Sequence, residues 1–448
     1  MKESAKRLWQ ALKTPLRLSA GGLMVLVGLA GLALPILPGW IFIIPGVALL
    51  TSGTSVGRWL RRSAVRIRRR FAERVRPARA GGTGAEQPTV PEPTPRPPAP
   101  TPATAPGPGR TGPPWCIAPT LDVDLALGPE QQLAALDETI RFRARRLLGL
   151  IRRQVPPVAQ VLADVLAART AWRFHSGVKA VARHGGIPWR WVMLGNVSYD
   201  LALAALGCST VVLPTGEGPV VARNLDWPGA QTLAAASCTL RFLREGRLQF
   251  AVAGWPGFLG VVTGLSARGF ALVLHAVPAR PAMCLTGYPV LLFLRRVLET
   301  AGGFDEAVTM VSRQRLLTSG LIVVAGTENH QRVCVERSPT ESALVRGQEG
   351  RALVTTNFYR RLLYRARHVT RPETAPYFAS ARRRAEALGR AAEDLVARGA
   401  TDRRDLLEVL SSPRVMQPTT AQHVILRPRA GTVETYVPTH QLVPVRPR

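Results

Sequence analysis

The chain has 448 residues, 46% of them apolar, which is enough for two or three domains with a sizeable core and excludes a chain disordered throughout. Lys and Arg number 59 against 29 Asp and Glu, a net charge of +30 that favours an anionic partner, either nucleic acid or an anionic lipid surface. Five scattered cysteines (Cys116, Cys208, Cys238, Cys284, Cys334), with no Cys-x-x-Cys pair and no histidine at ligand spacing, argue against a disulfide scaffold and a metal site, and fit a reducing compartment with a thiol left for chemistry.

Residues 1–79 carry fifteen basic and two acidic side chains together with the only long apolar run. Membrane is therefore the favoured anionic partner, and no nucleic acid is expected. From Ala20 to Gly53 nothing is charged. This run is longer than the roughly 20 residues one span needs, and Pro35, Pro38-Gly39 and Pro45-Gly46 divide it into two short halves. A tight hairpin and a kinked single span both remain open; a signal peptide, whose apolar core is only about 7–15 residues, is the lesser reading. Leu34-Pro35-Ile36-Leu37-Pro38-Gly39-Trp40 resembles the small bacterial membrane family named for its Pro-Gly-Pro-Gly-Trp motif, with Ile36-Leu37 interrupting it. Arg58 to Arg79 interleaves arginines with Trp59, Leu60, Val65, Ile67 and Phe71, the pattern of a juxtamembrane helix lying on anionic headgroups. Basic flanks stay cytoplasmic, so a cell-membrane location with the following domain in the cytoplasm is expected. Residues 80–114 are Pro, Ala, Thr and Gly, a polyproline-like tether able to reach on the order of 100 Å.

Residues 115–207 read as helical. Gly128-Pro129-Glu130 opens a helix carrying Leu133, Leu136, Ile140 and Leu147, and Val158 to Ala168 and Pro188 to Leu206 give two more. A β-hairpin follows, Gly207 to Val212 turning on Pro214-Thr215-Gly216-Glu217-Gly218 into Val220 to Asp226. It returns Arg223 and Asp226 beside Cys208. A thiol reacts as thiolate, so an adjacent cation, and a carboxylate that orients a base, are what acyl transfer needs. Further strand pairs are expected at Ala236 to Leu243 with Leu248 to Ala253, and at Gly257 to Thr263 with Phe270 to Ala276. Helices Tyr288 to Thr300 and Phe304 to Arg313 come next, then strands Gly320 to Ala325, Arg332 to Glu336 and Ala352 to Thr356. The arginine-rich helix Tyr377 to Arg398 and the hairpin His423 to Val437 carry no chemistry that can be named and are read as completing the fold. Periodicity alone says mixed α and β.

Cys208-Ser209-Thr210 opening one strand and Arg223-Asn224-Leu225-Asp226 closing the next resemble the acid ceramidase and N-acylethanolamine acid amidase group of N-terminal-nucleophile hydrolases. Ala118 to Leu125 and Asn196-Val197-Ser198-Tyr199-Asp200 resemble that family's α-subunit, so the likeness covers about residues 115–360. The resemblance implies an α+β fold, a four-layer αββα sandwich, and self-cleavage of the Gly207-Cys208 bond. Four regions follow: a membrane segment (1–79), a linker (80–114), an α-subunit-like segment (115–207) and a catalytic β-subunit-like domain (208–448). It further implies Cys208 as nucleophile, flanked by Arg223 and Asp226. Asn357, in Thr355-Thr356-Asn357-Phe358-Tyr359, would donate to the oxyanion, and Trp255, Pro256 and Phe258 would wall a pocket for an acyl chain. Gly207 suits the cut, since its carbonyl is unhindered and cleavage frees an α-amine of pKa about 8 as general base.

The implied activity is hydrolysis of a lipid-like N-acyl amide, such as an N-acylethanolamine or ceramide, without cofactor. Transfer of the acyl group to an amine, as in penicillin acyltransferase, is an alternative. So is an inactive lipid-binding protein, because Thr263-Gly264-Leu265-Ser266 lacks the glutamate the family places after a Ser-Gly pair. The plainer readings are a buried structural thiol for Cys208, a surface ion pair for Arg223 and Asp226, a turn residue for Asn357 and core packing for Trp255 to Phe258.

Overall fold

The computed structural model describes residues 114–134, 142–147, 149, 160–202, 206–279, 283–284, 286–367 and 375–442. The membrane segment 20–53, its basic flank 58–79 and the linker up to 113 lie outside these residues. Among the described residues no helix is long and apolar enough to cross a membrane.

Two short strands, β1 (Trp115–Ile117) and β2 (Thr120–Asp124), open the described chain. This corrects the all-helical reading of 115–207. Thr120-Leu121-Asp122-Val123-Asp124 alternates polar and apolar with period two, so one face packs on the core while the other stays wet. The later strands are β3 (Gly207–Leu213), β4 (Val220–Asp226), β5 (Cys238–Arg244), β6 (Arg247–Gly254), β7 (Thr263–Ser266), β8 (Phe270–His275), β9 (Gly320–Ala325), β10 (Arg332–Arg337), β11 (Ser342–Arg346), β12 (Leu353–Thr355), β13 (Thr420–Arg427) and β14 (Thr432–Pro438). They form a six-stranded sheet in the order β1-β14-β13-β4-β3-β12 and an eight-stranded sheet in the order β11-β10-β9-β8-β7-β6-β5-β2. Every pairing is antiparallel except β2 with β5.

The helices are α1 (Pro129–Ala134), α2 (Gln160–Arg169), α3 (His175–Gly185), α4 (Trp189–Gly195), α5 (Ser198–Ala202), α6 (Ala230–Ala236), α7 (Val290–Thr300), α8 (Phe304–Arg313), α9 (Leu363–Arg367), α10 (Ala375–Arg398) and α11 (Arg403–Ser411). Three apolar layers result. Val212, Val221, Val273, Val323 and Val424 pack between the two sheets. Leu291, Leu294, Val297 and Val311 of α7 and α8 close the outer face of the larger sheet, and Leu388, Leu395, Leu406 and Leu410 of α10 and α11 close that of the smaller. The order is therefore helix, sheet, sheet, helix, as the resemblance implies. Strands covered on both faces lose the period-two signal, and Gly320–Ala325 is buried throughout.

Residues 257–262 correct a second expectation, since they form a loop and only Thr263–Ser266 is strand. Gly257 takes a left-handed backbone (φ 77°), and the Asn196 side chain accepts from Leu259 N–H (2.7 Å) and Gly260 N–H (2.9 Å), replacing ladder bonds. Helices α6, α9 and α11 and strand β11 went unread in the sequence.

Asp200 in α5 accepts from Thr318 Oγ1 at 2.5 Å, its other oxygen has no partner among the described residues, and burial lifts its carboxyl to about 7. The folded chain thus holds a proton that the unfolded chain releases near its ordinary value of 3.8. The resulting stability is complete below about pH 4 and is lost as pH rises through about 7, an upper bound on the order of 4 kcal/mol. Asp200→Asn is expected to flatten the fall in urea midpoint across that window; an unchanged slope would mean Asp200 ionises normally.

Candidate active site

The β3–β4 hairpin forms as read, its turn relying on Gly218 (φ 86°), where a Cβ would stand 2.4 Å from the Thr327 carbonyl. Alternation along β3 sends Cys208, Thr210 and Val212 toward the larger sheet, and Ser209, Val211 and Leu213 toward α10 and α11. Cys208 pairs with Leu225, so Arg223 lies diagonal to it on the same face.

Arg223 is fully buried and donates from Nη2 to Cys208 Sγ (3.0 Å) and from Nη1 to Thr263 Oγ1 (2.5 Å). Asp226, 1% exposed, leaves the opposite face of β4, accepts from Thr420 Oγ1 (2.6 Å) and lies 4.0 Å from Arg384 Nη1. Neither is a surface ion pair. Asp226 also crowds position 207: a Cβ there would stand 2.8 Å from Oδ2 and 3.0 Å from the Asp226 Cβ, so only glycine fits.

Asn357, after β12, is buried and joins these groups. Its Oδ1 accepts from Cys208 N–H (2.9 Å) and from Arg384 Nη2 (2.8 Å), while Nδ2 donates to the Ala276 carbonyl (2.8 Å). The amide therefore orients the Cys208 nitrogen while its own donor is engaged by the Ala276 carbonyl. Arg384 Nη1 donates to the Cys208 carbonyl (2.6 Å) and to Ser209 Oγ (2.7 Å). Tyr377 OH lies 3.1 Å from both the Leu206 and Ala276 carbonyls.

Arg384, Tyr377 and Thr420 all come from the C-terminal stretch to which the sequence reading assigned no chemistry, and this corrects it. A signal was present. The buried stripe of α10 is Phe378, Ala381, Arg384, Leu388, Ala392 and Leu395, and an arginine in a core-facing stripe needs a buried acceptor.

Burial decides the protonation state. Burial pushes the Cys208 thiol up, outweighing the pull of Arg223 and Arg384, and Sγ lies 3.6 Å from the Leu274 carbonyl as a thiol donor. An adjacent cation thus stands where the sequence reading placed it, without yielding a resting thiolate. Arg223, Arg384 and Asp226 leave an excess positive charge that a thiolate or oxyanion would neutralise, which favours negative charge appearing during reaction. His275 bonds Thr210 Oγ1 through Nε2 (2.8 Å) and is held neutral by burial and by the charges of Arg223 and Arg384. Leu265, where the family glutamate is expected, is buried among apolar side chains between the sheets. Among the described residues no cluster of His, Cys, Asp and Glu could hold a metal.

Trp227, next after Asp226, lines a cavity of about 100 Å³ with Leu233, Val192, Trp255, Pro256 and Phe258. Trp255 sits edge-on to both Trp227 (6.2 Å) and Phe258 (5.4 Å), and its Nε1 donates to the Leu233 carbonyl (2.9 Å). The three residues expected to wall an acyl pocket therefore share one apolar cavity, also lined by Trp227, one residue beyond the strand position opposite Gly207.

Comparison with known proteins finds several similarities. A family model described as acyl-coenzyme A:6-aminopenicillanic acid acyl-transferase matches residues 213–389. The N-acylethanolamine-hydrolyzing acid amidase of Caenorhabditis elegans is 28% identical over 183 residues, 38% of this chain and 52% of that protein. A probable acid ceramidase of the same organism is 22% identical over 354 residues, 67% of this chain and 84% of that protein. The chain spans about half the length of most of the curated relatives it matches. The solved structure of the C. elegans N-acylethanolamine-hydrolyzing acid amidase ortholog superposes with a TM-score of 0.41 at 22% identity, covering 50% of this chain and 93% of that one.

Proposed function

We propose that the chain is a self-maturing cysteine amidase of the N-terminal-nucleophile kind. In this reading it hydrolyses lipid-like N-acyl amides and is tethered through residues 20–53 and the basic flank 58–79 to a membrane, with its catalytic domain in the cytoplasm. The observation that carries this reading is that one buried set of side chains grips both sides of the Gly207-Cys208 bond: Asn357 on the Cys208 nitrogen, Arg223 on its sulfur, Arg384 on its carbonyl, and Asp226 against Gly207.

Maturation begins when Cys208 Sγ attacks the Gly207 carbonyl carbon. The C–N bond breaks, the nitrogen takes the thiol proton, and a Gly207 thioester on Cys208 remains; water then hydrolyses it to the Gly207 carboxylate and a free thiol. The new α-amine, of pKa about 8, is held by Asn357 Oδ1 and takes the Cys208 proton as the sulfur attacks the substrate carbonyl. The same proton passes to the departing amine, and water hydrolyses the acyl thioester. Asn357 Nδ2 serves the oxyanion by exchanging its bond to the Ala276 carbonyl.

The apolar cavity at Trp255, Pro256 and Phe258 supports an acyl substrate, and relatives named for N-acylethanolamine hydrolysis and as ceramidases support N-acyl lipids. The matching acyl-transferase family favours a second reading, transfer of the thioester's acyl group to an amine; the product ratio with an added amine acceptor separates the two. The test of maturation is the denatured mass of wild type and Cys208→Ala. Wild type is expected as residues 1–207 and 208–448, with the variant whole. Both remaining whole at every pH would leave a lipid-binding protein without this chemistry.

A further inference from the structure

Behind the loop that walls the apolar cavity at Trp255 lies a second cavity, of about 60 Å³. The two share Pro256, Gly257 and Phe258, so a single loop separates them. Val123 of β2, Leu133 of α1, Val181 of α3 and Leu240 of β5 line the second cavity, together with one charged side chain, Arg295 of α7. Arg295 falls on the buried stripe of its helix, four residues after Leu291 and three before Leu298, and is only 8% exposed. An arginine in such a stripe needs acceptors, and the proposed chemistry makes no use of this one.

Its setting satisfies half of the guanidinium. Nε donates to Glu299 Oε1 (2.6 Å), and the guanidinium carbon stands 4.1 Å and 4.3 Å from the ring centroids of Phe242 and Phe250, which hold it in place. Nη1 and Nη2 have no hydrogen-bond partner among the described residues. Glu299 does not belong to Arg295 alone, for its Oε2 accepts from Arg173 Nη2 (2.8 Å). Two guanidiniums thus share one carboxylate, and a positive charge is left over beside the cavity. Burial pulls the Arg295 pKa below its usual value, against the opposing pull of Glu299. A buried cation with open donors is costly until an acceptor arrives. Nη1 and Nη2 form a planar fork that matches the two oxygens of a carboxylate, and the rest of the wall is mostly hydrocarbon. No second cation lines the cavity among the described residues, and Gln132 Nε2 donates to the Leu127 carbonyl (2.9 Å), which suits one planar charge and not a phosphate.

We propose that this second cavity binds a fatty carboxylate, its head on Arg295 Nη1 and Nη2 and its chain along Leu133, Leu240 and Phe258. Hydrolysis of a fatty-acyl amide would release a ligand of this chemistry. The site nevertheless rests on the cavity and Arg295 alone, and is independent of the amidase reading.

The test is isothermal titration of the full chain in detergent with octanoate and with octanamide, at a neutral pH where the two differ in the charge of the head. Octanoate is expected to bind about ten-fold or more tightly than octanamide. Arg295→Met is expected to remove that difference by weakening octanoate alone, and Arg295→Lys, which keeps the charge but not the fork, to restore it only in part. Leu133→Trp, at a half-buried position on the wall, is expected to abolish binding of both ligands by filling the space. Equal affinity for octanoate and octanamide overturns the proposal. So does octanoate binding that withstands Arg295→Met or Leu133→Trp, since the ligand then sits elsewhere. Should Arg295→Met fail to fold, Leu133→Trp and the comparison of the two ligands decide. No turnover is read, so failure here leaves the amidase reading standing, and a chain found whole in the mass measurement leaves this site standing.

Discussion

Arg384→Met is expected to stop self-cleavage at Gly207 almost completely, with a fall in rate of about 10²–10³ and a loss of stability of about 3–5 kcal/mol. The guanidinium bonds the Cys208 carbonyl, Ser209 Oγ and Asn357 Oδ1 at once and is the cation nearest Asp226. Methionine fills its volume but leaves a buried carboxylate with one hydrogen bond, from Thr420, and only the more distant charge of Arg223. Stability loss alone would not identify a positioning role, so Arg384→Lys is the deciding variant. Lysine restores the charge beside Asp226 but is a point donor that cannot bridge three acceptors in one plane. Recovery of the urea midpoint without recovery of cleavage is expected. Wild-type cleavage in Arg384→Lys would mean the charge suffices and the bridging is incidental.

Gly207→Ala is expected to slow cleavage about 100-fold while the sandwich stays folded. The added methyl would meet Asp226 at both Oδ2 and Cβ, and Asp226 is pinned by Thr420 and Arg384. The strand end must shift, and displacing a reacting bond by about 1 Å costs roughly that factor. Overpacking itself adds about 1–3 kcal/mol of destabilisation. A time course of cleavage on a denaturing gel, beside the thermal midpoint, checks both. A variant that cuts at the wild-type rate would remove Asp226 from the account of the scissile bond.

Much of the site was legible because it is local. Cys208, Arg223 and Asp226 lie on one hairpin whose β-branched runs and Pro-Gly turn mark it, and period-two alternation puts Arg223 on the face of Cys208. Helix α8 begins and ends at the residues read, since Gly303 precedes an acidic first turn and Arg313 ends the last. Residues 257–262 misled because Val261 and Val262 look like a strand; the Asn196 side chain, distant in sequence, takes the amide hydrogens a strand would have paired. Residues 115–124 misled because three- and five-residue strands have too few positions for alternation to stand out. They form here because β14 and β5 offer unpaired edges.

Composition, the hairpin that carries Cys208, and the alternation of strand runs with a helical pair follow from the order of residues, because each rests on neighbours within about one turn or one strand. The arrangement of Cys208, Asn357 and Arg384 does not, since 149 and 27 residues separate the members joined through Asn357. Nor does the state of the thiol. Arg223 beside a cysteine implies a thiolate when only spacing is known, but desolvation scales with burial, and Cys208 is buried by residues distant in sequence, such as Leu274 of β8 against its sulfur.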